Sequence, residues 1–448
     1  MKKEWLLTLV SLLITLVLGA WLTRLFFPQI FGNPINLKLV RESKEVPPFY
    51  DVIFNSSDPH ADKYLLNDPV VVVRNKPLIP DIGIWGPHDL LGFRNSSVPR
   101  LIDVVTIGDS QTYGNNVRFY QNWPNQVPFF LPNKNPFNVY NFSVGGWGPV
   151  QYLYALELSL VFQPKVVIVA FYMGNDLLDA FAATFTHERW DPLRVNKRLG
   201  IIDYPSIPSF DSKNHQWLVK FQNGIETIFT PSRRLMFNFR DEAVIQEGIQ
   251  ITKNVIKEMA KISKKHRIPI VLTIVPTKET AHGKLFAKEK INLDSKFILL
   301  MQNEMENIRE LEKEIKMHKN LIFVSSLSLL QEEILNGKQL YLKTFDGHPN
   351  EIGYQIIAKN LSSEISPFLK EDLDLGACKV LINDYQREVV LLLGDHTYKI
   401  FENEVIGQKN GWNLQKIPEI SQRELFSWKY AGIISNVDSN LYGPKAVY

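Results

Sequence analysis

The sequence predicts an α/β fold: a parallel sheet with helices packed on both faces. Two patterns carry this expectation. Five short runs, "DVVTI" (103–107), "NVYNFSV" (138–144), "KVVIVAF" (165–171), "IPIVLTIV" (268–275) and "LIFVSS" (321–326), are dense in Val, Ile and Phe. That content suits strands covered on both faces, as parallel strands are. Helix-length segments lie between them. Residues 241–265 and 293–318 repeat apolar positions at helical spacing, and charges such as those of "ENIRELEKEIKMHK" form a solvated face. Strands and helices in alternation make a doubly covered sheet.

Different segments stand ahead of that alternation. Residues 5–22, "WLLTLVSLLITLVLGAWL", carry no charge. Roughly 18–22 helical residues cross about 30 Å of hydrocarbon. Lys2 and Lys3 precede the run, so the positive-inside bias places the rest of the chain outside the cytoplasm. The expectation is a single-pass membrane anchor over 1–27, with the rest of the chain extracytoplasmic (periplasmic in a Gram-negative cell). A cleaved signal peptide, cut near Val17-Leu18-Gly19, and a buried core helix are the rival readings. The run is longer than the usual signal core of about 7–15 residues. No cysteine lies near it, which excludes lipid attachment there. Residues 28–100 are rich in Pro, Asn and Asp and read as a linker and a lead-in segment packing on the main domain.

The main domain is expected over 101–370. Within it, 181–240 is too long, too aromatic and too often broken by Pro to be one crossover. It reads as an insertion over one edge of the sheet. After about Glu371 come "KVLI", "REVVLLLG", "TYKIFE" and "YAGIIS", which read as short strands, so 376–448 is expected to be a small β-rich appendage. Its Trp412, Trp428, Tyr430 and Tyr442 are either core of that unit or stacking surfaces for sugars.

Composition excludes several classes. The net charge is +3 with no long basic tract, which argues against a nucleic-acid partner. The single cysteine, Cys378, excludes an intramolecular disulfide framework and a Cys-based zinc cluster. There is no G-x-S-x-G elbow, H-E-x-x-H, P-loop or G-x-G-x-x-G. The expectation is therefore no metal and no cofactor.

In open parallel sheets, ligands bind beyond the carboxyl ends of the strands. Gly108-Asp109-Ser110 follows the first run, Gly145-Gly146 the second, and Met173-Gly174-Asn175-Asp176 the third. "KTFDGHPNEIGY", with Asp346 and His348, follows the last. Each alone has a plainer reading. Asp109, Ser110 and Thr112 can cap a helix, the glycine pair and "GND" can be turns, and Asn350 after Pro349 can start a helix beside an incidental His348. Together, on one edge and in order, they supply what acyl transfer needs. A serine hydroxyl attacks only when a base takes its proton, a carboxylate orients that base, and N–H groups stabilise the oxyanion.

These blocks resemble those of the SGNH (GDSL) hydrolase family over about 101–365: "GDSQT", "NFSVGG", "GND" and "DGHPNEIGY". The resemblance implies a flavodoxin-like five-stranded sheet, Ser110 as nucleophile and His348 as base. It also implies an oxyanion hole from Ser110, Gly146 and Asn175, Gly146 being the fifth residue after Asn141. One departure stands out. The family's aspartate lies three residues before the histidine, where this chain has Phe345, and Asp346 is two before. Positions i and i+2 of an extended segment face the same way, and Pro349 favours an extended His348. Asp346 is therefore expected to reach the ring. The Asp-x-His spacing is similar to a branch that includes periplasmic alginate O-acetylation enzymes. That implies an ester substrate on a cell-surface or exported glycan, handled by hydrolysis or acyl transfer. The other reading is a non-catalytic glycan-binding or assembly protein on the same scaffold.

Overall fold

The computed structural model describes residues 64–68, 70–89, 91–99, 102–131, 137–205 and 216–369, and four strands between 379 and 415. The expected anchor over 1–27, residues 28–63, "YAGIIS", Trp428, Tyr430 and Tyr442 lie outside the described residues. Among the described residues, no helix is long and apolar enough to cross a membrane.

Strands β1 (Leu65–Asp68) and β2 (Val72–Asn75) form an antiparallel hairpin. Then come β3 (Val104–Gly108), β4 (Val139–Ser143) and β5 (Val166–Tyr172). A second hairpin pairs β6 (Trp217–Lys220) with β7 (Glu226–Phe229). β8 (Ile270–Val275) and β9 (Leu321–Ser325) complete the set. Five strands make one parallel sheet in the order β4-β3-β5-β8-β9. Counted among themselves they run 2-1-3-4-5, the flavodoxin-like order. Each strand begins and ends within two residues of the run that predicted it.

Burial explains why these runs were legible. Every residue of β3, β5 and β8 is buried. Val105, Ile107, Val167, Val169 and Phe171 join one core with helices Pro149–Ser159 and Ala243–His266. Val104, Val166, Ile168 and Tyr172 join the other, with helix Glu351–Ile365. Fully burying one such side chain contributes roughly 1.5–3 kcal/mol, so two-sided packing decides the sheet more than local propensity does. The long helices also carry their own end signals. Asp294 caps Ser295–Lys316 by accepting from the Phe297 N–H at 2.8 Å. Ala243–His266 ends with Lys264, Lys265 and His266 in its last turn and a left-handed Arg267.

The lead-in segment does more than connect. Arg94 is fully buried, and its guanidinium donates to the carbonyls of Ile84, Gly86, Tyr113, Gly114 and Val117 at 2.5–2.9 Å. It thereby pins the loop that follows Ser110. The Trp147 indole donates to the Val73 carbonyl at 2.8 Å, which fixes the loop after the glycine pair. The expected insertion contains the β6–β7 hairpin and helix Pro231–Met236. Beyond residue 378, β10 (Lys379–Asn383), β11 (Glu388–Leu393), β12 (His396–Glu402) and β13 (Trp412–Gln415) form an antiparallel sheet in sequence order.

Candidate active site

β3 and β5 are neighbours at the point where the strand order reverses, and both end at the same edge. After β3 the chain passes straight into helix Ser110–Tyr113. A Cβ at Gly108 would lie 2.1 Å from Thr112 Oγ1, so the tight turn requires glycine. Asp109 caps the short helix through Gln111 N–H, 2.8 Å away. Asp109, not Ser110, thus caps the helix, and Ser110 stands at the first helical position.

His348 reaches Ser110 from the loop before helix Glu351–Ile365. The Ser110 Oγ lies 2.7 Å from His348 Nε2. His348 Nδ1 lies 2.6 Å from Asp346 Oδ1, and the same oxygen accepts from His348 N–H at 2.7 Å. The shortened Asp-x-His spacing therefore places the carboxylate on the ring. With Nδ1–H donated to Asp346, Nε2 is the acceptor for the serine hydroxyl. Asp109 Oδ2, 3.3 Å from Ser110 Oγ, is the more distant acceptor. Burial would raise the Asp346 carboxyl, but the His348 charge and hydrogen bonds overcome it and hold it well below the ordinary range.

Two buried cations hold these loops, and the sequence reading passed over both. Lys278 follows β8, and its Nζ donates to the carbonyls of Thr344 and Asp346 at 2.7 and 2.8 Å. Burial lowers its pKa to about 8. Arg234, in the insertion, donates to the Gly174 carbonyl at 3.1 Å. A Cβ at Gly347 would lie 2.6 Å from Arg234 Nη2, so the guanidinium sits between the Asn175 loop and the His348 loop. The only sequence hint was the position of Lys278, directly after a strand in "IVPTK".

The remaining predicted residues lie on the loops that follow β4 and β5. Gly146 takes φ +81°, and Trp147 N–H closes the turn onto the Val144 carbonyl at 3.2 Å. A Cβ at Gly145 would lie 3.9 Å from Ser110 Cβ, so Gly145 abuts Ser110. Asn175 begins helix Asp176–Ala183. Its side chain makes no capping bond to that helix; its amide donates instead to Asp179 Oδ2. Asp176 accepts from Tyr152 Oη at 2.9 Å and from Tyr172 N–H at 2.8 Å. Burial raises all three nearby acids: Asp109 to about 6, Asp179 to about 8 and Asp176 well above its ordinary value. Burial thus disfavours negative charge on Asp176 and Asp179.

Comparison with family models and with curated proteins gives no match. Among solved structures, the chain is similar to a lipolytic protein of the G-D-S-L family from Desulfitobacterium hafniense DCB-2, at 17% identity and TM-score 0.32, over 58% of this chain and 97% of that one. It is similar to a mutant of Axe2, an acetyl-xylooligosaccharide esterase from Geobacillus Stearmophilus, at 12% identity and TM-score 0.34, over 60% and 95% of the two chains. It is also similar to TesA, at 14% identity and TM-score 0.33, over 59% and 99%. The chemistry of this chain rests on its own geometry. The 2-1-3-4-5 parallel sheet gives the chain a flavodoxin-like α/β fold, with the Ser, Gly, Asn and His blocks that resemble those of SGNH hydrolases brought to its carboxyl edge.

Proposed function

We propose that the protein is an ester hydrolase or acyltransferase that works through an acyl-enzyme on Ser110. The observation that carries this is the continuous chain Ser110 Oγ–His348 Nε2, 2.7 Å, and His348 Nδ1–Asp346 Oδ1, 2.6 Å. His348 takes the hydroxyl proton as Oγ attacks the ester carbonyl, and Asp346 stabilises the imidazolium that results. The tetrahedral oxyanion is held by the Ser110 and Gly146 N–H groups and the Asn175 amide. The intermediate collapses with loss of the alcohol, which leaves with the proton from His348. Water, or the hydroxyl of an acceptor, then attacks the acyl-serine by the reverse sequence. The substrate we propose is an O-acylated cell-surface or exported glycan. What supports this is the resemblance of the Asp-x-His spacing to the branch that includes alginate O-acetylation enzymes, together with the expected anchor over the uncharged segment 5–22. Hydrolysis of nitrophenyl esters over a range of acyl lengths, with and without oligosaccharide acceptors, tests the reading. Ser110-dependent turnover supports it, acylated oligosaccharide product selects the transferase, and inertness toward every ester refutes it.

Two outcomes follow. Asn175→Ala should lower kcat by roughly 10²–10³-fold with little change in KM, because its bond strengthens only in the transition state. A change confined to KM would make Asn175 a substrate-positioning residue. The full-length protein should also fractionate with membranes and resist carbonate extraction. A mature N-terminus at Ala20 or Trp21 would show a cleaved signal instead.

A further inference from the structure

Asn175 poses a problem that the proposed mechanism leaves open. An asparagine at a helix start ordinarily turns its side-chain oxygen onto the helix N–H groups. Used that way, the amide is oriented by the helix rather than by the site. Here it is not used that way. The Asn175 backbone carbonyl accepts from Leu178 and Asp179 N–H, both at 3.0 Å, but the side chain makes no capping bond. Its Nδ2 donates to the carboxyl of Asp179, one turn along the same helix.

Asp179 is placed to hold that geometry firmly. It is 5% exposed. Gly148, at the end of the glycine loop, packs directly on it: a Cβ there would lie 2.9 Å from Asp179 Cβ. One side chain thus touches both loops that carry proposed oxyanion donors. A primary amide has two N–H groups. One engaged by Asp179 leaves the other for the oxyanion, in a direction fixed by a rigid helix. Donors preorganised in this way are worth more than donors that must rotate into place.

We infer that Asp179 is a positioning residue for the oxyanion hole, orienting the Asn175 amide toward the ester carbonyl. The inference rests on the esterase reading for its kinetic consequence, but the hydrogen bond itself does not. Burial pushes the Asp179 carboxyl up to about 8, so at neutral pH it is a neutral acceptor that an asparagine amide oxygen closely matches.

The test compares Asp179→Ala with Asp179→Asn in the full-length protein, with thermal unfolding recorded for both. In the alanine variant, kcat on a nitrophenyl ester should fall roughly 10–10²-fold, the cost of a misoriented donor, while KM stays nearly unchanged. The asparagine variant should return kcat to within about threefold of wild type, since it keeps an acceptor of the same shape. Should alanine not fold, serine replaces it, being too short to reach the amide. A second readout is independent of activity. In ¹⁵N-labelled protein, the Asn175 side-chain amide resonances, assigned by their loss in Asn175→Ala, should move toward free-amide positions in the alanine variant and return in the asparagine variant. Unmoved resonances with wild-type kcat in the alanine variant would overturn the inference. So would a loss that asparagine fails to restore. Absence of Ser110-dependent turnover in wild type would refute the esterase reading while the resonances still decide the role of Asp179.

Discussion

Replacing Ser110 by alanine should lower turnover of a small ester by roughly 10⁴-fold or more, and replacing His348 by alanine should do nearly the same. The double variant should be little worse than either single one, because the two groups act as a unit. Neither change should unfold the protein. Asp109, not Ser110, caps the helix, and its bond to Gln111 N–H survives. His348 sits in a loop whose carbonyls are held by Lys278 whatever side chain follows. Steady-state kinetics with circular dichroism on the same samples checks both statements. Near-normal turnover by Ser110→Ala would remove Ser110 from the mechanism.

Asp346→Asn should reduce kcat by roughly 10²–10⁴-fold at unchanged structure. The carboxylate accepts the Nδ1 proton at 2.6 Å and so leaves Nε2 free to receive the serine proton. An amide there can donate to Nδ1, which moves the ring proton to Nε2 and disables the base. A fall of less than about tenfold would instead describe a Ser110–His348 dyad.

The five sheet strands were legible because two-sided burial leaves nearly unbroken apolar runs, as in "VVIVAF" and "IVLTIV". Three of the blocks were legible because they directly follow β3, β4 and β5; the His348 block, expected straight after the last strand, instead follows helix Leu327–Leu335 and the loop beyond it. Asp346 could be expected to reach His348 from extended geometry alone, but one oxygen taking both the His348 N–H and Nδ1–H is visible only in three dimensions. The family resemblance singles out Gly146, and the structure adds its neighbour: Gly145 abuts Ser110 while Gly146 turns the chain. The supports were not legible, for a common reason. Arg94, Arg234 and Lys278 are charged residues that bond to backbone carbonyls distant in sequence. In a sequence such residues look like surface charge, since a carbonyl acceptor has no residue type. Residues 64–99 likewise read as lead-in because, beyond the short β1–β2 hairpin, they are held by bonds such as those of Arg94 and the Trp147 indole rather than by periodic apolar faces.

Activation of the Ser110 hydroxyl is open to covalent capture. The protein is treated with a fluorophosphonate at neutral pH and digested, and the adduct is located by mass spectrometry. A single stoichiometric adduct is expected on the peptide carrying Ser110, absent from Ser110→Ala and formed at least about 10²-fold more slowly by His348→Ala. Wild-type protein that stays unlabelled, or an adduct that forms equally well in Ser110→Ala, would rule out Ser110 as an activated nucleophile.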